Sequence, residues 1–297
     1  MPSIALARAA NGAVSLLGKK ALIVGGTSGI GEATALRLAS LKADVTIVGR
    51  SQAAATKILD KMKASHPEGI FEFYPIDLTL LREVRRFTTE FASKQNKLNY
   101  LVLTAGVLNF HGRSPTEEGH TQQMVLSYYS RFLTIHKLLP LLESTAASGE
   151  DVRVLDVLAA GKGGYVDKDD LALVTKYSAY RCALVTSQYT DLMVDELSRR
   201  HPTVTFAHLA PGIVKTPLAN QMPWYLSPAK HLLNLFATTS EDFGEIMAFI
   251  LTSPTTKGGF KLLGSRGEDV RPTKYHTPET RQLVYQHSLE LTGLTKQ

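Results

Sequence analysis

Residues 176–183 read Lys-Tyr-Ser-Ala-Tyr-Arg-Cys-Ala, which places Tyr177 four residues before Arg181. A tyrosine hydroxyl can hand a proton to a carbonyl oxygen. A fixed cation beside it favours the phenolate and lowers its pKa from about 10. Arg181 can supply that charge, but it cannot pass a proton on, because its own pKa lies above about 12. Tyr180 is followed four residues later by Leu184 and lacks such a partner. Lys162, Tyr165 and Lys168 lie close in sequence and read as surface or pocket wall.

A second set of residues suits an anion. Gly25-Gly26-Thr27-Ser28-Gly29-Ile30-Gly31 has the spacing Gly-x-x-x-Gly-x-Gly, between an apolar run and a helical pattern that begins at Glu32. Glycines permit a tight turn and let a pyrophosphate approach the backbone. The helix N-terminus that follows offers amides and a dipole that favour negative charge. An ordinary strand-to-helix turn could use the same glycines, so their weight comes from the flanking pattern.

Those groups need a scaffold. Short β-branched runs at 21–26, 44–49, 71–77, 100–106, 152–158 and 204–209 read as strands, with a possible seventh near 260. Helical patterns lie between them, at 52–65, 80–95, 119–147 and 175–200 among others. Continuous apolar strands separated by helices predict a parallel sheet covered on both faces. That is a doubly wound, Rossmann-like α/β architecture, which takes ligands beyond the carboxyl ends of its strands. No linker or repeat divides the chain. We read residues 1–297 as a single domain, with 1–18 an N-terminal extension and 265–297 a C-terminal tail. His208, on the sixth strand, reads as a satisfied core histidine.

Composition excludes several other classes. A chain of 297 residues, 44% hydrophobic and 20% charged, can bury a substantial core and is not disordered. A net charge of +6 suits small anionic ligands, but no long basic run or aromatic-basic interleaving points to nucleic acid. No apolar run approaches the ~18 to 20 residues of a membrane helix. The nine histidines show no metal-ligand spacing, so no metal is expected. Cys182 is the only cysteine, which rules out a disulfide within the chain and favours a reducing, cytoplasmic setting. The first twenty residues carry Arg8, Lys19 and Lys20 and no acid; they read as a short surface helix in preference to a transit peptide.

The chain resembles the short-chain dehydrogenase/reductase family over roughly residues 18 to 217. The glycine loop matches, with Val24 where the family often has Thr. Thr104-Ala105-Gly106 resembles the Asn-Ala-Gly after the fourth strand. Asp77 in Asp77-Leu78-Thr79 matches the acid that meets the adenine ring. Pro211-Gly212-Ile213-Val214-Lys215-Thr216 resembles the segment flanking the nicotinamide. The resemblance implies a cofactor site built from Gly25, Thr27, Ser28, Gly29, Ile30, Gly31, Asp77, Leu78, Ala105, Gly106, Tyr177, Arg181, Pro211, Gly212, Val214 and Thr216. The second strand ends in Arg50 and Ser51, where an NAD-preferring site has an acid for the ribose 2′-hydroxyl. Arg50 can hold a 2′-phosphate through its planar fork, and Ser51 can add a hydroxyl, so the expected cofactor is NADP(H).

The resemblance further implies a catalytic set of Tyr, Lys, Ser and Asn. Here Tyr177 keeps its place, Arg181 replaces Lys, Ala159 stands at the Ser position and Ser127 at the Asn position. Losing one preorganised donor to a developing oxyanion costs on the order of 10² to 10³ in rate. Val-Leu-Asp-Val-Leu-Ala-Ala-Gly, Tyr-Tyr-Ser-Arg-Phe and Phe-Ala-His-Leu-Ala-Pro-Gly resemble a divergent branch of the family, the oxidoreductase-like proteins of fungal secondary metabolism. In the family, the place after Pro217 carries a segment that covers the substrate. Residues 217–245 here hold Met222, Trp224, Tyr225, Leu232, Leu233 and Phe236 and read as a lid over an apolar small molecule. Helices of this fold commonly pair into homodimers or homotetramers.

Three functions follow as expectations. The first is an NADP(H)-dependent oxidoreductase acting on an apolar, secondary-metabolite carbonyl or alcohol. The second is an isomerase, lyase or cyclase on the same fold with no net hydride transfer. The third is a non-catalytic NADP(H)-binding protein.

Overall fold

The computed structural model describes residues 3–107, 109–110, 112–216 and 237–295. Seven strands form one parallel sheet in the order β3-β2-β1-β4-β5-β6-β7. They are β1 Lys20–Val24, β2 Asp44–Gly49, β3 Phe71–Pro75, β4 Tyr100–Leu103, β5 Arg153–Val157, β6 Thr205–Leu209 and β7 Phe260–Leu263. The helices are α1 Ile4–Gly12, α2 Gly29–Ser40, α3 Gln52–Ser65, α4 Leu81–Lys94, α5 Ser130–Ala147, α6 Ala179–Arg200, α7 Ser240–Thr252 and α8 Pro278–Leu291. A helical turn, Gln122–Met124, and a π-helical segment, Val125–Tyr129, lead into α5. No helix among the described residues is long and apolar enough to cross a membrane.

Alternating strand residues build a core on each face of the sheet. Leu22, Leu101, Val154 and Phe206 face α4, α5 and α6, with Phe87, Phe132 and Leu192 among their partners. Ile23, Ile47, Val102 and Leu155 face α2, α3 and α7, with Leu38, Ile58 and Met247. The strand order reverses direction between β1 and β4, and the crevice beyond that switch point is where such sheets hold ligands.

Most elements match their sequence patterns to within a few residues. Strands β1, β3 and β4 stop short of the apolar runs because the chain turns away to form the loops at their carboxyl ends. The largest difference is at α6, which begins at Ala179 and not near 175. The Asp170 carboxylate accepts the backbone N–H groups of Val174 (2.7 Å), Thr175 (3.2 Å) and Lys176 (2.8 Å), which holds that stretch out of the helix. Ser178 is extended, and its Oγ accepts the Arg181 amide at 3.1 Å as the cap. Tyr177 therefore precedes the helix on which Arg181 lies.

The terminal segments are packed against this body. Asn11 of α1 reaches Glu245 of α7 at 2.8 Å. In the segment read as a C-terminal tail, α8 lays Tyr285 against Phe132 and His136, and Ser288 hydrogen-bonds Tyr128 at 2.8 Å. Between the sheet, α5 and α8, every residue of α6 from Val185 to Ser198 is buried. The segment read as a lid lies outside the described residues from 217 to 236; residues 240–245 belong to α7.

Candidate active site

A cavity of about 250 Å³ opens at the carboxyl ends of β1, β2, β3 and β4. Gly25, Thr27, Ser28, Gly29, Ile30 and Gly31 line it, together with Arg50, Asp77, Leu78, Ala105, Gly106 and Thr216. All twelve belong to the cofactor set expected from the sequence. Gly49, Ile76, Thr79, Thr104 and Leu126 also line it and fall outside that set. Each lies next to a residue of that cofactor set, apart from Leu126, the neighbour of Ser127. Leu126 lies in the π-helical segment that leads into α5.

Two glycines are required by close backbone approach. Gly25 has φ +94°, and a Cβ on it would lie 2.5 Å from the Ala105 nitrogen. A Cβ on Gly31 would lie 2.2 Å from the Gly25 carbonyl oxygen. The loops after β1 and β4 are thus pressed together, and Thr104 Oγ1 donates between them to Val24 O and Gly25 O, each at 3.2 Å. At the start of α2, Ser28 makes no side-chain cap. The first amides of that helix are left for a ligand.

At the far side of the cavity, Arg50 is exposed and has no hydrogen bond or ion pair among the described residues. Ser51 is the cap of α3, its Oγ accepting from the Ala54 amide at 3.2 Å, and it is not part of the cavity lining. Asp77 Oδ1 accepts from the Thr79 amide (2.9 Å) and hydroxyl (2.7 Å), which fixes the loop after β3. Pro211, Gly212 and Val214 follow β6 outside the lining, with Gly212 at φ +68° and Val214 bridged to Thr238.

The expected catalytic residues do not converge in the same way. The Tyr177 hydroxyl lies 2.7 Å from Gln123 Oε1 and 3.0 Å from the Asn109 carbonyl oxygen. Burial, with the Cys182 thiol adding to it, pushes this hydroxyl up to about 12. That is opposite to the lowering expected from Arg181. Arg181 is not among the groups that act on this hydroxyl; its guanidinium meets Asp167 at 3.1 Å, a carboxylate shared with Lys176 at 2.8 Å. Lys176 first, then the Asp169 amide, hold Asp167 below the usual carboxylate range. Ser127 is buried within the π-helical segment, and its neighbour Leu126 is the residue lining the cavity. Tyr180, Tyr165, Lys162 and Lys168 are all exposed.

Two buried polar pairs escape a reading of the sequence. At the Ser position, the Ala159 amide donates to His208 Nε2 at 3.1 Å, and His208 Nδ1 meets Asp191 Oδ1 at 2.6 Å. His208 is thus a satisfied core histidine, but with a partner 17 residues away in the chain. Arg131 pairs with Asp156, both wholly buried. The available signal was Asp156 itself, an acid among the apolar residues Val154, Leu155 and Val157 of β5, since a buried charge must find a partner.

The sequence profile for short chain dehydrogenases matches residues 19–224. An oxidoreductase of Emericella nidulans, AN1596, is 31% identical over 91% of this chain and 92% of its own length. The Homo sapiens polyprenol dehydrogenase is 30% identical over 92% of this chain and 85% of its own length. In fold, the chain is similar to a Pseudomonas aeruginosa RhlG/NADP active-site complex (TM-score 0.65, 22% identity, 89% of this chain and 98% of that one). With the glycine loop, the switch-point cavity and these likenesses in place, the chain belongs to the short-chain dehydrogenase family.

Proposed function

We propose that this protein is an NADP(H)-dependent oxidoreductase that interconverts an apolar carbonyl compound and its alcohol. The observation that carries this reading is Arg50, a cation without a partner among the described residues at the edge of the switch-point crevice. The residues present fit the cofactor. Gly25 and Gly31 let the glycine loop close against the loop after β4, the uncapped start of α2 suits a pyrophosphate, and Arg50 suits a 2′-phosphate. In this reading Asp77 and Leu78 border the adenine. Ala105, Gly106 and Thr216, with Pro211, Gly212 and Val214 beyond, border the nicotinamide. The bound cofactor supplies or accepts the hydride.

Tyr177 then supplies the proton, once its hydroxyl turns from Gln123 to the substrate oxygen. Arg181 and Ser127 stand in the places of the family's Lys and Asn and complete the surroundings of the ribose. The relative that is a polyprenol dehydrogenase supports an apolar alcohol or carbonyl as substrate. The fungal relative, named an oxidoreductase, supports the reaction type, and the secondary-metabolite class rests on the resemblance of the quoted segments. The single cysteine, a buried free thiol, supports a cytoplasmic setting.

A specific observation favours a second reading. Ala159 offers no hydroxyl, and Arg181 is tied to Asp167, so the site is poor in groups that would stabilise an oxyanion. An isomerase, lyase or cyclase with no net hydride transfer asks less of them. Product analysis with apolar ketones and alcohols, with and without NADP(H), separates the readings. Stoichiometric consumption of NADPH supports the first, and product without cofactor supports the second. Tight NADPH binding with no conversion across the panel leaves a binding protein.

A further inference from the structure

We infer that Arg131 is a positioning residue for the cofactor cavity: its buried guanidinium sets the Ala105–Gly106 backbone on which the nicotinamide end rests. This rests on the reading of the cavity as a dinucleotide site.

Arg131 is 1% exposed and is the largest fully buried side chain among the described residues. Its Nη1 donates to Asp156 and to Val157 O at 3.0 Å, and its Nη2 donates to Ala105 O. One side chain thereby joins the end of β5 to the loop after β4. Ala105 and Gly106 line the cavity. The Ala105 amide in turn stands where it would meet a Cβ on Gly25, so its position also sets the gap beside the glycine loop.

The geometry separates this role from that of an ordinary buried ion pair. A pair built only for attraction would use the bidentate fork that Arg and a carboxylate make together. Here Arg131 Nε and Asp156 Oδ2 are both buried and both lack a partner among the described residues. The guanidinium is rotated so that its Nη atoms reach backbone carbonyls, and the second leg of the pair is given up. Lys could keep the charge beside Asp156, but a single ammonium lacks the spread of donors needed to hold both ends.

The test uses NADPH fluorescence titration of the full chain, with thermal melting in parallel. Removing one partner of a buried pair leaves an unpaired charge, whereas replacing both by apolar residues is often neutral for stability. The double variant Arg131→Met/Asp156→Leu is therefore expected to melt near wild type and to bind NADPH about tenfold more weakly, the size of one charge-assisted hydrogen bond. Wild-type affinity in that variant would show the pair to be structural only and would overturn the inference. If the double variant does not fold, Arg131→Lys is compared with Leu251→Ala, a core change distant from the cavity. Weaker binding by Arg131→Lys at equal loss of melting temperature supports positioning; equal binding overturns it. Failure of the wild-type protein to bind either NADPH or NADH would instead remove the dinucleotide reading itself.

Discussion

The Tyr177 hydroxyl and Gln123 Oε1 stand 2.7 Å apart, and this contact directs the tyrosine's single proton at an amide oxygen. Proton donation to a substrate requires exchanging that acceptor for the substrate oxygen. Tyr177→Phe is expected to lower turnover by about 10² to 10⁴ while changing NADPH affinity by less than about twofold. Full retained turnover in steady-state assays would exclude Tyr177 as the acid.

The same hydroxyl makes a pH prediction. Burial raises it to about 12, so between pH 10 and 12 the folded protein keeps a proton that the unfolded chain releases. Its contribution to stability is fully present below the unfolded value near pH 10 and is lost as pH rises through about 12. Melting curves of wild type and Tyr177→Phe should run parallel up to about pH 10, after which wild type should fall faster. The pH–rate profile should show no alkaline limb from this group below pH 10; a Tyr177-dependent limb near neutrality would contradict the geometry.

Substitution of Arg50 tests the choice between cofactors. Arg50→Glu is expected to weaken NADPH binding by about tenfold to a hundredfold, from the loss of charge-assisted hydrogen bonds worth about 1.5–3 kcal/mol, and to leave NADH binding equal or improved. Paired titrations with both nucleotides check this. An equal loss for both would move Arg50 from the 2′-phosphate to a shared part of the cofactor.

Ala159→Ser tests whether the missing donor limits reduction. A hydroxyl at the end of β5 should raise the NADPH-dependent rate by at least about tenfold if Tyr177 and the hydride acceptor are already in register. Single-turnover measurements isolate the chemical step. An unchanged rate, with the new hydroxyl structurally in place, would favour chemistry without hydride transfer.

Tyr285 tests the seating of the C-terminal helix. It packs edgewise on Phe132 and tilted against His136, and Arg200 lies 4.6 Å from its ring centroid. Tyr285→Ala is expected to destabilise the fold by about 3–5 kcal/mol, as other buried aromatic truncations do. Urea unfolding measures it, and a loss below about 1 kcal/mol would show that α8 is only loosely docked.

The sheet and the cofactor loop were legible in the sequence because their causes are local. Apolar strand runs alternate with helical periods, and the glycines from Gly25 to Gly31 sit where a backbone must turn tightly and admit an anion. Arg50 could be expected at the cavity because the end of a strand fixes which residue faces the crevice, and it lines that cavity.

The surroundings of Tyr177 and Arg181 depended on contacts from outside that stretch. Tyr177 and Arg181 are neighbours by spacing, yet Asp170 grips the backbone before α6 and Asp167 takes the arginine. Neither acid lies within the Tyr177–Arg181 stretch, so spacing alone could not reveal the competition. Arg131 and Asp156 are 25 residues apart and meet only when β4, β5 and α5 are packed. Local sequence sets which backbone shapes and charges this protein has; packing decides which of those charges are already paired with one another.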